Sequence, residues 1–271
     1  MDPFWEDLLR REETFLSAAE PKFRHGTPFV SVSALAGQYY CEYKVENQLT
    51  LGEIPTEAKE RGTELHDELI PGVEVAADDF VKLVSGRGPS FAALRVWGSV
   101  AGIRLVGMPD HIIWSGGRPL WLVELKTTKG DPAPLWEDQE NQARIYGLLL
   151  DLMGLDCSKL RLAVIRVKAP ELSHEEKRAW VERTSTALIA GTEGELEQRF
   201  RGLVKAHVMT HDRRAAVRAV TAKAGYWKGE RVPSPTTSPG RCRACEYNLA
   251  CPKSLARNPR AGESPKSDSG A

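Results

Sequence analysis

The chain has 271 residues, with 37 basic and 37 acidic side chains, a net charge of zero and 41% hydrophobic residues. That length supports a real core in one large or two small domains, and the composition is that of a soluble globular protein. No apolar run approaches the roughly 18 residues a membrane span needs. The start Met1-Asp2-Pro3-Phe4-Trp5-Glu6 lacks the basic-then-apolar order of a secretory signal, so a reducing, cytoplasmic setting without membrane association is expected. Five cysteines in such a setting read as ligands or buried thiols rather than disulfides. The zero balance hides an asymmetry. Residues 1–80 carry 7 Lys/Arg against 17 Asp/Glu, and residues 201–260 carry 13 against 3. A polyanion-binding surface in the C-terminal part is one explanation, and compensating acids nearby in space are the other.

In chain order, residues 3–20 are predicted as an amphipathic helix, with Phe4, Leu8, Leu9, Phe15 and Leu16 at helical spacing. Ser31 to Leu49 follows as a capped helix carrying Tyr39, Tyr40, Cys41 and Tyr43, and Thr56 to Leu69 as another. Strands are expected near Ala93–Val100, Ile103–Trp114 and Leu120–Thr127, with turns at Ala101-Gly102 and Ser115–Arg118. A long helix over Pro134–Met153 is stopped by Gly154 and followed by a buried strand over Leu160–Lys168. Glu171–Lys205 and Asp212–Ala224 read as helical, Val232–Arg241 as a loop, and the Pro/Ser/Gly/Lys-rich residues 256–271 as a disordered tail. The order of a helix, a three-strand meander, a helix and a strand describes an α/β fold with a mixed sheet flanked by helices.

Two segments carry chemistry. Residues i and i+2 of a strand share a face, so Glu124 and Lys126 project together while Leu125 points to the core and keeps its backbone carbonyl free. The turn at Ser115–Arg118 brings Asp110 of Gly107-Met108-Pro109-Asp110 alongside. Two hard oxygen ligands and a carbonyl suit Mg²⁺ or Mn²⁺, and a lysine beside them can orient water or offset charge on a phosphorane. Glu-x-Lys is common on surface hairpins, but Trp121-Leu122-Val123 before Glu124 marks the end of a buried strand, where a carboxylate is costly unless paired or metal-bound. On a helix His66 could reach such a metal as a neutral imidazole, although a lone helical histidine is more often structural or on the surface. Gln142 and Tyr146, four residues apart, share one helix face.

Cys242-x2-Cys245-x5-Cys251-Pro252 is a compact ligand trio, and Cys41 is the obvious fourth. Four thiolates suit either a 4Fe–4S cluster or structural zinc. One knuckle, a longer step and a remote cysteine depart from the paired knuckles of a zinc ribbon and favour the cluster. It would tie the beginning of the chain to its end. Cys157 has no partner in sequence and reads as a buried thiol. Phe23, Tyr39, Tyr40, Trp97, Trp136 and Trp227 are available to stack on single-stranded bases or to fill the core.

The ordered set His66, Gly107–Asp110, Glu124–Lys126 and Gln142–Tyr146 resembles the PD-(D/E)xK nucleases of the RecB type. With Cys41, Cys242, Cys245 and Cys251 it is similar to their iron–sulfur branch, most of all the CRISPR-associated exonuclease Cas-four family. The resemblance spans about residues 31–255, with residues 1–30 as an N-terminal helical extension. It implies a restriction-endonuclease-like core and Mn²⁺- or Mg²⁺-dependent digestion of single-stranded DNA from an end. It implies His66, Asp110, Glu124 and the Leu125 carbonyl as metal ligands, Lys126 as catalytic, Gln142 and Tyr146 as support, and the four cysteines as cluster ligands. A prespacer-trimming role beside CRISPR integrase proteins follows from the same resemblance. A repair or recombination exonuclease of the RecB, AddB or exonuclease V type and a non-catalytic DNA-binding adaptor with the same fold are the alternatives, and a homo-oligomer is a possible assembly.

Overall fold

The protein is described from a computed structural model covering residues 2–18, 20, 22–56, 77–168, 183–200 and 202–256. Helix α1 (Pro3–Ser17) is capped by the Asp2 carboxylate, which accepts from the Phe4 N–H, with Pro3 opening the first turn. After β1 (Val30–Ser31), the Ser31 hydroxyl caps α2 (Val32–Tyr40). One continuous helix was expected to Leu49. Instead Cys41 is extended, at φ −169° and ψ 123°, and α3 (Glu42–Leu51) starts after it. Helix α4 (Ala77–Ser85) and strand β2 (Ser90–Phe91) were not anticipated. The predicted helix over 56–69, with His66, lies outside the described residues except for Thr56. The expected tail lies outside them beyond Ala256.

The expected meander divides into two sheets. β3 (Val96–Val100) and β4 (Ile103–Gly107) form an antiparallel pair, and β1 joins β4 in parallel. β5 (His111–Ser115) and β6 (Arg118–Thr127) form a hairpin in a second sheet ordered β2-β5-β6-β7-β8. The single strand predicted over 103–114 is thus two strands of different sheets, parted at Met108-Pro109-Asp110. Pro109 has no N–H to give a ladder and fixes φ, so pairing stops there. The hairpin turn forms as expected, with Gly116 and Gly117 at φ 58° and 77°.

Helix α5 (Glu137–Leu152) crosses over to β7 (Arg161–Val167), which runs parallel to β6. The helix starts three residues later than predicted because Trp136 is extended at its N-cap. The helical run expected over 171–205 is interrupted. Residues 183–190 and α6 (Glu193–Arg199) are helical, but Val204–Thr210 is strand β8, antiparallel to β7. Gly191, at φ 70°, makes the turn that ends the first helix, and Gly202, at φ 72°, lies in the turn that leads into β8. Helices α7 (Arg213–Trp227) and α8 (Pro239–Arg243) complete the order. No helix among the described residues is long and apolar enough to cross a membrane.

Two apolar clusters cover the two faces of the five-stranded sheet. On one face Leu122, Leu162 and Val164 pack with α5, α2, α1, α7 and the smaller sheet. On the other, Trp121, Val123, Ala163, Ile165 and Val167 pack with Ala187, Leu188 and Leu196.

Part of the charge asymmetry of the sequence is spent inside the molecule. Glu42, buried at the first position of α3, accepts both terminal nitrogens of Arg231 at 2.5 and 2.7 Å, the Ser234 N–H at 2.8 Å and Lys223 at 3.3 Å. Arg24 and the Tyr226 hydroxyl meet Glu46 at 3.1 and 2.7 Å. Burial works against the Glu42 carboxylate, but the Arg231, Ser234 and Lys223 donors outweigh it and hold its pKa below the ordinary value. A depressed acid contributes stability above its unfolded value of about 4.3, lost as pH falls through the native value. Glu42→Gln is therefore expected to lower stability at pH 7 by about 3 kcal/mol. Its stability should also decline less steeply than wild type in acid. Urea melts between neutral and acid pH measure both, and parallel acid limbs would remove Glu42 from that role.

Candidate active site

The break at Pro109 delivers Asp110 to the end of β6. Its N–H donates to Glu124 Oε1 at 3.2 Å, and its Oδ2 accepts the Leu125 N–H at 2.7 Å. Lys126 Nζ donates to Glu124 Oε2 at 3.0 Å. The two carboxylates and the ammonium group predicted from the sequence therefore meet. Leu125 packs on the second apolar cluster, on the face opposite Glu124, as the strand period requires.

Glu124 is wholly enclosed, at 0% exposure, while the Lys126 side chain keeps 22%. Burial, and then the Asp110 charge, push the Glu124 pKa up to about 7 against the pull of Lys126. Burial disfavours the Lys126 ammonium, but the carboxylates of Glu124 and Asp110 outweigh it and raise its pKa, so the lysine is held charged.

Tyr146 and Gln142 lie on α5, with Gln142 Nε2 and the Tyr146 hydroxyl at 3.5 Å, a loose contact. Burial, reinforced by Glu124, raises the Tyr146 pKa and keeps the phenol protonated. The Tyr146 ring also explains Gly107. A Cβ there would stand 2.6 Å from Tyr146 Cε1 and 3.0 Å from Val32, so only glycine lets α5 approach this sheet edge. His66 lies outside the described residues, and its place in the site is not part of this geometry. Asp110 and Glu124 offer hard carboxylate oxygens of the type Mg²⁺ and Mn²⁺ take.

The same sheet face continues beyond the predicted residues. In register, Glu124 stands beside Val164 and His207, and Lys126 beside Arg166 and Lys205. Arg166 was missed by sequence reading. Its signal was a charged residue within the apolar run Leu162-Ala163-Val164-Ile165-Arg166-Val167.

The four predicted cysteines converge elsewhere. Cys41, Cys242, Cys245 and Cys251 all line one cavity, together with Tyr40, Lys44 and Arg241. Polar contacts assemble this wall. Arg241 donates to the Tyr39 and Tyr40 carbonyls, both at 2.9 Å, the Tyr40 hydroxyl donates to the Arg241 carbonyl, and the Tyr247 hydroxyl donates to the Gly52 carbonyl. Lys44 pairs with Glu246 at 3.2 Å. Among the described residues, no three His, Cys, Asp or Glu side chains are arranged to hold a single metal ion. Cys157 is buried apart from this group, and burial pushes its thiol up to about 12, the behaviour of an inert core cysteine.

The family model of the PD-(D/E)XK nuclease superfamily matches residues 30–252, and the chain belongs to that superfamily. Its members cleave nucleic acids with divalent metals, so the protein is a nuclease with DNA as its substrate class. The structure described as "Crystal structure of SSO0001" is similar to this chain at 15% identity and a TM-score of 0.45, over 92% of this chain and 96% of that one. No curated protein matches the sequence.

The Asp110 and Glu124 carboxylates repel each other, and Lys126, bonded to Glu124, offsets this only in part. Asp110→Asn keeps an oxygen for the Leu125 N–H and removes the repulsion. The metal-free variant is expected to be more stable than wild type by about 1 kcal/mol at neutral pH. Mn²⁺ is expected to raise the melting temperature of wild type and not that of the variant. Thermal melts in EDTA and in Mn²⁺ test the pair of effects, and an unchanged manganese response would remove Asp110 from the metal site.

Proposed function

We propose that this nuclease is an exonuclease that digests single-stranded DNA with Mn²⁺ or Mg²⁺. The observation that carries the proposal is the meeting of Asp110, Glu124 and Lys126 at the enclosed end of β6. When bound, the divalent ion supplies a polarised phosphate and a water of lowered pKa. Asp110, Glu124, the Leu125 carbonyl and His66 would hold it. Lys126, kept charged by Glu124, donates to a phosphate oxygen and offsets the negative charge that grows during attack. Tyr146, kept protonated, serves as a hydrogen-bond donor at the same edge, with Gln142 one turn before it.

The four cysteines fit a 4Fe–4S cluster as a structural group. The thiolates of such a cluster bind different irons, and the lining of one cavity by Cys41, Cys242, Cys245 and Cys251 supports this reading. The motif order and this cysteine set together support a prespacer-trimming role beside CRISPR integrase proteins. A purified integrase that neither binds the protein nor accepts the ends it produces would argue for a repair exonuclease instead.

Two experiments follow. Labelled single-stranded DNA should be shortened progressively from an end in Mn²⁺, and Asp110→Ala and Lys126→Ala should each slow this by about a thousandfold. Wild-type rates in both variants would refute the site. The aerobically purified protein should be brown and carry iron with inorganic sulfide. Cys242→Ser should lose the colour and lower the melting temperature. A colourless protein carrying zinc would overturn the cluster.

A further inference from the structure

Lys126, Arg166 and Lys205 stand side by side on β6, β7 and β8, on strands about 4.8 Å apart. Like charges in directly opposed positions destabilise a sheet. The outer two are neutralised, Lys126 by Glu124 at 3.0 Å and Lys205 by Glu197 at 2.7 Å. The central one is left under-bonded. Arg166 is 3% exposed, and its Nε and Nη1 are enclosed with no acceptor. Asp131 and Asp138 face it, yet burial outweighs their attraction. A guanidinium stays charged in a protein even so. Its enclosure is a standing cost to the fold, and a phosphodiester oxygen is an acceptor of the charge and type that an unmet guanidinium N–H lacks.

An aromatic ring completes the arrangement. Trp136 sits with its ring centroid 5.9 Å from the Arg166 guanidinium carbon and is 45% exposed. It ends the segment leading from Lys126 to α5. Other aromatic candidates are committed elsewhere. Phe23, Trp97 and Trp227 are buried, and the hydroxyls of Tyr39 and Tyr40 are tied to backbone carbonyls.

We propose that Arg166 and Trp136 form a strand-binding subsite beside the cleavage centre, the guanidinium holding the phosphodiester next to the scissile one and the indole stacking on a base. This deepens the single-stranded DNA reading and rests on it. A base must be unpaired and unstacked to lie on the indole, so the subsite selects a single strand over a duplex. Stacking on a ring tolerates any base, so no sequence preference arises here.

The test is equilibrium binding of a labelled single-stranded oligothymidylate to the full chain in EDTA, where no cutting occurs. Trp136→Ala is expected to weaken binding by about tenfold. Arg166→Met is expected to weaken it similarly and to flatten the slope of log affinity against log salt by about 0.7, the value for one lost phosphate contact on a single strand. Without DNA, Arg166→Met should melt at or above the wild-type temperature, because an enclosed unpaired charge has been removed. Unchanged affinity and slope would overturn the proposal. So would a lower melting temperature with an unchanged slope, since Arg166 would then be a loop anchor. The cleavage reading fails separately. If wild type cuts nothing in Mn²⁺ while both variants lose binding, the subsite stands and the exonuclease does not.

Discussion

A carboxylate with no contact with water, set at the end of an apolar strand, is the constraint around which this protein is built. Desolvation alone would neutralise Glu124, and Asp110 beside it adds repulsion. The fold answers with two donors, the Asp110 N–H and Lys126 Nζ, on different oxygens of the carboxylate. Both depend on how the chain is laid down. The first requires the backbone to leave β4 at Pro109 and return as β5, and the second requires the period of two along β6. Helix α5 closes the arrangement from above, and Gly107 permits its approach by carrying no side chain against Tyr146. A site that holds repelling acids together costs stability, and the two apolar clusters flanking the sheet supply what offsets it.

The second constraint is electrostatic and joins the ends of the chain. Glu42 draws in Arg231, Lys223 and the Ser234 N–H from about 190 residues away, by the separations of those contacts. Cys41 precedes Glu42, and Arg231 and Ser234 precede the segment with Cys242, Cys245 and Cys251. The ion pair therefore brings the two halves of the cysteine group together through protein contacts alone. The basic excess of residues 201–260 serves this internal purpose in part, so net charge along a sequence overstates the surface left for nucleic acid.

How legible the sequence was follows from the range of the forces involved. Strand period and hairpin chemistry act over a few residues, so β6, β7, the turn at 115–118 and the pairing of Glu124 with Lys126 could be read directly. The helices at 3–17, 137–152 and 213–227 were visible for the same reason, apart from their ends. Strand β8 was hidden because Lys205 closed a charged, helix-favouring stretch, and only pairing with β7 makes Val204–Thr210 extended. The split of the meander into two sheets was not readable, since the choice of neighbour for β4 is made by β1, 75 residues away by the register of Val30 with Leu105. Arg166 escaped for a related reason. A lone charge in an apolar strand announces an anomaly, but its neighbours Lys126 and Lys205 are set by register alone.

Three departures from regular geometry fall at residues of the candidate sites. The chain leaves a strand at Pro109 and presents Asp110. It leaves a helix at Cys41 and presents that thiol to the cavity shared with the C-terminal cysteines. It delays a helix at Trp136 and sets an indole over Arg166. A side chain inside a regular element is confined to that element's faces, which packing reserves for the core or for water. A residue at a break is free of both faces and can be aimed between elements, toward groups the sequence holds far apart. Local rules fail at these three points because tertiary contacts specify them, and consistency elsewhere in the fold is what makes such failures affordable.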